Sequence, residues 1–158
     1  MKIAVHRACA ADAVEACEVL RRSIVELCIA DHHQDQQVLA AWLQNKTPQT
    51  VAAWINSATH FAVVAVAVTG ISGFGLIQRQ GEIQLCYVAP ELVRRGAGRL
   101  LIWSLERQAA QWGLNQVFLT STLTAKSFYE KLGYLAASEP IRAFGLQQAF
   151  PMFKPLAG

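Results

Sequence analysis

Residues Phe61 to Val68 read Phe-Ala-Val-Val-Ala-Val-Ala-Val, an unbroken apolar run rich in β-branched side chains. β-Branched residues suit pleated strands, and a run that is apolar at every position has no face to give to water. It predicts a strand buried on both sides, which obliges the rest of the chain to cover a sheet from two directions. At eight residues it is far shorter than the roughly 20 that cross a bilayer as a helix. A meander follows. Thr69-Gly70 turns the chain, Ile71 to Gln80 reads as a second strand, Gln80-Gly81 turns again, and Ile83 to Val88 reads as a third. Gly73 and Gly75 inside the second strand signal a bulge or the close approach of another element.

The flanking segments supply the covering layers. Residues 2–8 alternate weakly and suit a first strand. Asp12 and Glu15 read as a capping pair, and Val14, Cys17, Leu20, Ile24, Leu27 and Cys28 recur at helical spacing, predicting a helix over about 12–29. Asp31-His32-His33-Gln34-Asp35 is a polar break, with Asp35 placed to cap a second helix reaching about Gln44. Thr47-Pro48 opens a third helix over about 48–57. Beyond the meander, Leu101, Leu105, Ala109 and Trp112 share one face of a helix over about 96–112. A strand at 116–120, a helix at 124–132 stopped by Gly133, and strands at 134–138 and 148–154 complete the chain. With no repeat and no linker, residues 1–158 read as a single α+β domain with a largely antiparallel sheet.

Composition narrows the class of function. The chain is 53% hydrophobic and only 16% charged, which argues for a packed core rather than disorder. Net charge is +3, and three of the fourteen cationic residues are Arg94, Arg95 and Arg99, so one local anion site accounts for the excess. No basic stripe interleaved with aromatics suggests a nucleic-acid surface. Cys9, Cys17, Cys28 and Cys86 lack metal-like spacing and suit a reducing, cytoplasmic setting, and the apolar stretch at the N-terminus is too short for a signal peptide. No membrane association is expected.

Chemistry concentrates where the meander ends. Val88-Ala89-Pro90-Glu91-Leu92-Val93-Arg94-Arg95-Gly96-Ala97-Gly98-Arg99-Leu100-Leu101 reads as a strand end, a basic loop with Gly-x-Gly, and the first turn of a helix. Helix N-termini carry unpaired N–H groups and partial positive charge, and glycines admit a ligand close to that backbone. The result is an anion cradle suited to a phosphate-bearing cofactor. A dinucleotide fingerprint would need a third glycine where Leu101 stands, and a Walker loop would need Lys-Ser/Thr where Arg99-Leu100 stands.

A second segment, Thr122-Leu123-Thr124-Ala125-Lys126-Ser127-Phe128-Tyr129-Glu130-Lys131-Leu132-Gly133-Tyr134, lies about thirty residues beyond the loop. Together the two resemble the GNAT N-acetyltransferase superfamily. Gly96 and Gly98 match its acetyl-CoA loop, while Ala125, Phe128, Tyr129, Gly133 and Tyr134 match its later Asn-x-x-Ala-x-x-Phe-Tyr-x-x-x-Gly-Phe/Tyr pattern. Val93 stands where Gln or Arg is usual, and Thr122 where Asn is usual. The resemblance implies the GNAT fold, a sheet of six to seven strands flanked by helices, and acetyl transfer from acetyl-CoA to a primary amine by direct attack. It implies that the strand Ile83–Val88 splays from its neighbour and offers backbone groups near Tyr87 and Val88 to the pantetheine arm and acetyl carbonyl. Arg94, Arg95, Gly96, Ala97, Gly98, Arg99, Thr122 and Ser127 would hold the cofactor, Tyr129 would protonate the departing sulfur, and Glu82 would take the amine proton.

Other features divide between function and packing. Asp31, His32, His33 and Asp35 invite a metal, but adjacent histidines rarely converge on one ion, so a substrate contact from His32 or His33 is the better expectation. Trp42 and Trp54 suit core or cleft wall, and Cys86 a packed thiol near the acetyl site. Phe144, Phe150 and Phe153 lie close together and suggest a homodimer interface. The acceptor, a small-molecule or peptide amine, is set by residues 22–58 and the last strand region, where the family shares no pattern. Two rival readings are a non-catalytic acyl-CoA-binding module, suggested by Val93 and Thr122, and a toxin-like aminoacyl-tRNA acetyltransferase, suggested by the pI of 8.8.

Overall fold

A computed structural model describes residues 2–157. The apolar run becomes β2 (His60–Ala67), set antiparallel between β1 (Ala4–Arg7) and β3 (Gly70–Gln78), and β3 pairs in turn with β4 (Ile83–Val88). Ala62, Val63, Val64 and Ala65 are at most 4% exposed, as a strand covered on both faces requires. The alternation of the strand sends Val63 and Ala65 into one core with Leu101 and Leu105. Ala62 and Val64 enter a second core with Cys17, Leu20 and Val51. A bulge follows Ala65, and Gly73 and Gly75 mark a close approach of α5. A Cβ on Gly73 would stand 3.0 Å from Leu101 Cδ1, and one on Gly75 would stand 3.2 Å from Leu105 Cδ1.

Four helices cover one face: α1 (Ala13–Leu27), α2 (Ile29–His32), α3 (Gln36–Leu43) and α4 (Pro48–Asn56). Asp35 accepts from the N–H groups of Gln37 and Val38, and Thr47 from that of Thr50 with Pro48 in the first turn, as the spacing predicts. Asp12 and Glu15 do not act as a capping pair. Asp12 accepts from the N–H of Cys9 across a 3-10 turn, and Glu15 reaches across the fold to the Ile71 N–H. The expected polar break is shorter than the sequence suggests. Helix resumes through His32, and the chain reverses at His33 and Gln34, both with positive φ.

The opposite face is covered by α5 (Ala97–Gln111). The second half of the chain adds β5 (Gln116–Ser121), α6 (Lys126–Lys131), β6 (Leu135–Ala136), β7 (Ile141–Ala143) and β8 (Leu146–Pro155). These strands form their own antiparallel sheet, ordered β5-β8-β6, with β7 also pairing β8. The α+β architecture is the expected one, with eight strands in two sheets rather than six to seven in one. The strand expected at 134–138 shrinks to two residues, and β7 carries too little periodicity to read from sequence. The three phenylalanines do not form one surface. Phe144 is exposed at the β7–β8 turn, whereas Phe150 and Phe153 are odd-spaced on β8 and face opposite ways. No helix among the described residues is long and apolar enough to cross a membrane.

Candidate active site

The two sheets meet between β4 and β5 at a single parallel bridge, Glu82 with Phe118, where the Phe118 N–H donates to the Gly81 carbonyl at 3.0 Å. Beyond it the strands diverge and leave a wedge. On its other edge β4 is spent on β3: the Ala89 N–H donates to the Ser72 carbonyl at 2.8 Å, and Tyr87 lies opposite Phe74. Backbone direction alternates along a strand, so the polar groups of Cys86 and Val88 face the wedge and those of Tyr87 face β3. A bulge between Leu76 and Ile77 leaves Gln84 as the extra residue on β4. That insertion lets Ile83 join the core under α5 while Leu85 joins the core under α1.

At the head of the wedge stands the glycine loop. Arg94 and Gly96 take positive φ of 64° and 91°, and α5 begins at Ala97 with no side chain capping it. Its first N–H groups are therefore available to an anion. The two glycines serve different ends. A Cβ on Gly96 would meet nothing within 4 Å, so glycine is there for its backbone angle and leaves the approach open. Gly98 makes room for Phe128, whose Cζ would lie 3.1 Å from an added Cβ. Arg94, Arg95 and Arg99 are exposed around this opening, and Ala97 is buried beneath it.

Phe128 belongs to α6, and its neighbour Tyr129 projects into the wedge beside Cys86. The Tyr129 ring is held edge-on by Phe128 at 5.1 Å and by Tyr134 at 5.5 Å. Tyr134 is anchored by donating to Glu106 at 2.7 Å, and Glu106 also pairs with Lys154. Burial pushes the Tyr129 hydroxyl well above its ordinary pKa, and the neighbouring Cys86 adds to the effect. The Cys86 thiol is likewise pushed up by burial, to about 12, so it stays protonated and packed. Gly133, with φ of 97°, ends the α6 turn in the left-handed cap that the sequence predicts. Thr122 is buried and accepts from the Ala125 N–H at 3.1 Å, which fixes the start of α6. Ser127 is exposed on its first turn.

A profile of the acetyltransferase (GNAT) domain matches residues 29–156. The chain belongs to the GNAT acetyltransferase family. Solved structures agree on the fold. A GCN5-related N-acetyltransferase from Rhodopseudomonas palustris is 24% identical, with a TM-score of 0.86 over 99% of this chain and 97% of that one. The PaiA N-acetyltransferase from Thermoplasma acidophilum, in complex with coenzyme A, is 20% identical, with a TM-score of 0.82 over 98% and 99%. YncA from Salmonella typhimurium, with its cofactor acetyl-CoA, is 16% identical, with a TM-score of 0.73 over 100% and 96%. No protein of curated function matches the sequence.

In this GNAT domain the wedge continues toward Glu82 as a cleft of about 280 Å³, lined by Lys46, Trp54, Gln84, Leu85, Thr120 and Phe144 among others. Glu82 accepts from the Gln84 amide at 3.2 Å, and Gln84 contacts His60 at 3.1 Å. The histidines expected to touch substrate do not reach this cleft. His32 is 1% exposed. Its Nδ1 accepts from the Gln34 N–H, so Nε2 carries the proton and donates to the carbonyls of Ile24 and Val25. It ties the end of α1 to the reversal after α2. His33 is exposed on that reversal and is absent from the cleft lining.

Three residues gain roles that their sequence context hides. Asp31 bridges to the start of α6, accepting from the N–H groups of Leu123 at 2.7 Å and Thr124 at 3.2 Å, and from the Thr124 hydroxyl. Ninety-two residues separate Asp31 from Leu123, so local spacing carries no sign of the contact. Phe144 sits at the cleft mouth with a positive φ of 59°, followed by Gly145 at 78°. Two consecutive left-handed residues make the turn type that suits a tight hairpin. Phe144-Gly145 is the one local signal of it. Lys46 is 6% exposed and lines both the wedge and the cleft, which the polar context Asn45-Lys46-Thr47 conceals.

Proposed function

We propose that this GNAT domain transfers an acetyl group from acetyl-CoA to a primary amine by direct attack within a ternary complex. The observation that carries the reading is the conjunction in one wedge of an uncapped helix N-terminus behind Gly96, unpaired β4 backbone at Val88, and the Tyr129 hydroxyl. The residues fit the donor. The open space at Gly96 and the N–H groups of Ala97, Gly98 and Arg99 would receive a pyrophosphate, with Arg94, Arg95 and Arg99 supplying countercharge. The outward-facing groups of Cys86 and Val88 would pair with the pantetheine amides, and the Val88 N–H would polarise the acetyl carbonyl.

The amine nitrogen forms a bond to the acetyl carbon, the carbon–sulfur bond breaks, and its electron pair leaves on sulfur. Tyr129 donates its proton to that sulfur. Because burial keeps the hydroxyl protonated, Tyr129 is supplied as an acid at any ordinary pH. Glu82 lies four residues from Cys86, about 13 Å of extended strand, so the amine proton reaches it through water. The non-catalytic rival drew on Thr122, and Thr122 has a structural reason to be present as the acceptor for the Ala125 N–H. Titration with acetyl-CoA, followed by a thiol-release assay over amino acids, polyamines, aminoglycosides and peptide N-termini, tests the reading. Tight CoA binding with no release against any amine would replace it with the non-catalytic module. Absence of CoA binding would remove both.

A further inference from the structure

We infer that Lys46 is a carboxylate-binding residue of the acceptor site, and that the acceptor is a small amine bearing a carboxylate, an amino acid or a close relative. This rests on the acetyl-transfer reading of the cleft.

Among the described residues lining the wedge and cleft, Lys46 is the one cation and Glu82 the one anion. A lysine that is 6% exposed is held out of water at a cost that a countercharge normally offsets. None is present, since the four ion pairs among the described residues do not include it. Its Nζ donates to two neutral oxygens, the Trp42 carbonyl at 3.3 Å and Asn45 Oδ1 at 2.7 Å. An ammonium has three donors, so one remains for a ligand. The Trp42 bond caps the last turn of α3 and accounts for one donor, without accounting for the side chain's place in the cleft wall. Burial also lowers the Lys46 pKa, the mark of a charge without an anionic neighbour.

The surroundings make the residue a fixed point rather than a swinging arm. Its carbonyl accepts from Arg21 Nη1 at 2.8 Å and from the Cys17 thiol at 3.2 Å, and its N–H donates to the Leu43 carbonyl at 3.0 Å. An acceptor with an ammonium on the Glu82 side and a carboxylate on the Lys46 side matches the two charges, and Trp54 and Phe144 offer apolar walls to the rest of it. A volume of about 280 Å³ suits a small molecule.

The test is thiol release from acetyl-CoA over matched sets: free amino acids, their α-amides and the corresponding decarboxylated amines. The best free acid should exceed its own amide in kcat/KM by about 10- to 100-fold, the range of a charge-assisted hydrogen bond. Lys46→Met should erase that ratio by raising KM for the acid, and Lys46→Arg should retain most of it. Loss of a buried unpaired charge should also raise the melting temperature of the free protein. Equal rates for acids and amides in the unaltered enzyme would overturn the inference while leaving acetyl transfer standing. A Lys46→Met protein with a lower melting temperature and an unchanged ratio would reduce Lys46 to a helix cap. If no amine releases thiol, the same sets are titrated into the CoA-loaded protein. Binding of an acid but not its amide, lost in Lys46→Met, supports the carboxylate site, and failure of both to bind overturns it.

Discussion

Gly98 on α5 faces the edge of the Phe128 ring on α6, so close that an added Cβ would stand 3.1 Å from Cζ. The glycine loop and the later aromatic motif, thirty residues apart in sequence, are therefore one packing unit. Gly96 leaves the loop open, and Gly98, two residues on, seats the helix that carries Tyr129. Disturbing the first motif should displace the second.

Gly96→Ala and Gly98→Ala should consequently fail in different ways. Gly96→Ala has space for its methyl group but must hold φ of 91°, at a cost of about 1–2 kcal/mol in denaturant titration. Gly98→Ala gains up to about 1 kcal/mol of helix propensity, offset by crowding against Phe128. Its stability should stay close to that of the parent while CoA affinity, read by calorimetry, drops several-fold.

Tyr129→Phe should lower kcat by about 100-fold or more with little change in the KM for acetyl-CoA. Since burial raises the Tyr129 pKa, the parent enzyme should show no loss of rate from tyrosine ionisation below pH 10. A Tyr129→Phe enzyme with full turnover across that range would remove the acid assignment.

Glu82→Gln should slow the reaction most at neutral pH, where the acceptor amine arrives protonated. As pH approaches the amine's own pKa the need for a base disappears, and the variant should converge on the parent. A deficit of constant size from pH 7 to 10 would show Glu82 to be structural.

Stability should fall in alkali through the buried thiols. Burial raises the Cys28 pKa from 9.0 to about 12. A group whose folded pKa lies above its unfolded value contributes stability that is complete below the unfolded value and is lost as pH rises. Cys28 should thus cost about 1.4 kcal/mol per pH unit between 9 and 12, a slope that Cys28→Ala removes. Denaturant midpoints at pH 8 and pH 10.5 would measure it.

Phe144→Asn should relieve a left-handed backbone that asparagine tolerates, raising stability by about 1 kcal/mol. The same change removes an apolar wall from the cleft mouth, so KM for the acceptor should rise while KM for acetyl-CoA holds.

Local spacing sufficed wherever one element specifies itself. The apolar run at 61–68 demanded two covering layers, Asp35 and Thr47 capped the helices they precede, and Gly133 took the left-handed cap that glycine permits. The loop proposed to hold the donor was legible as a local structure for the same reason, since a strand, a loop and a helix N-terminus are continuous in the chain. The burial of His32 was not legible because its three backbone contacts depend on how α1 and α2 fold back together, and a histidine's sequence neighbours do not reveal burial. Asp12 and Glu15 were misread because a partner across the fold outcompeted the local one.

The cleft beside Glu82 depends on tertiary structure. Asp31 reaches α6, the β7–β8 turn carries Phe144 to the mouth of the cleft, and Lys46 is brought to the same cleft as Glu82 from a separate segment. Sequence alone determined most of the elements, the two-sided burial of β2 and the glycine loop that opens α5, because those follow from periodicity and backbone geometry over a few residues. Tertiary structure alone decided which side chains line the cleft, because long-range packing sets both their proximity and their exposure to water.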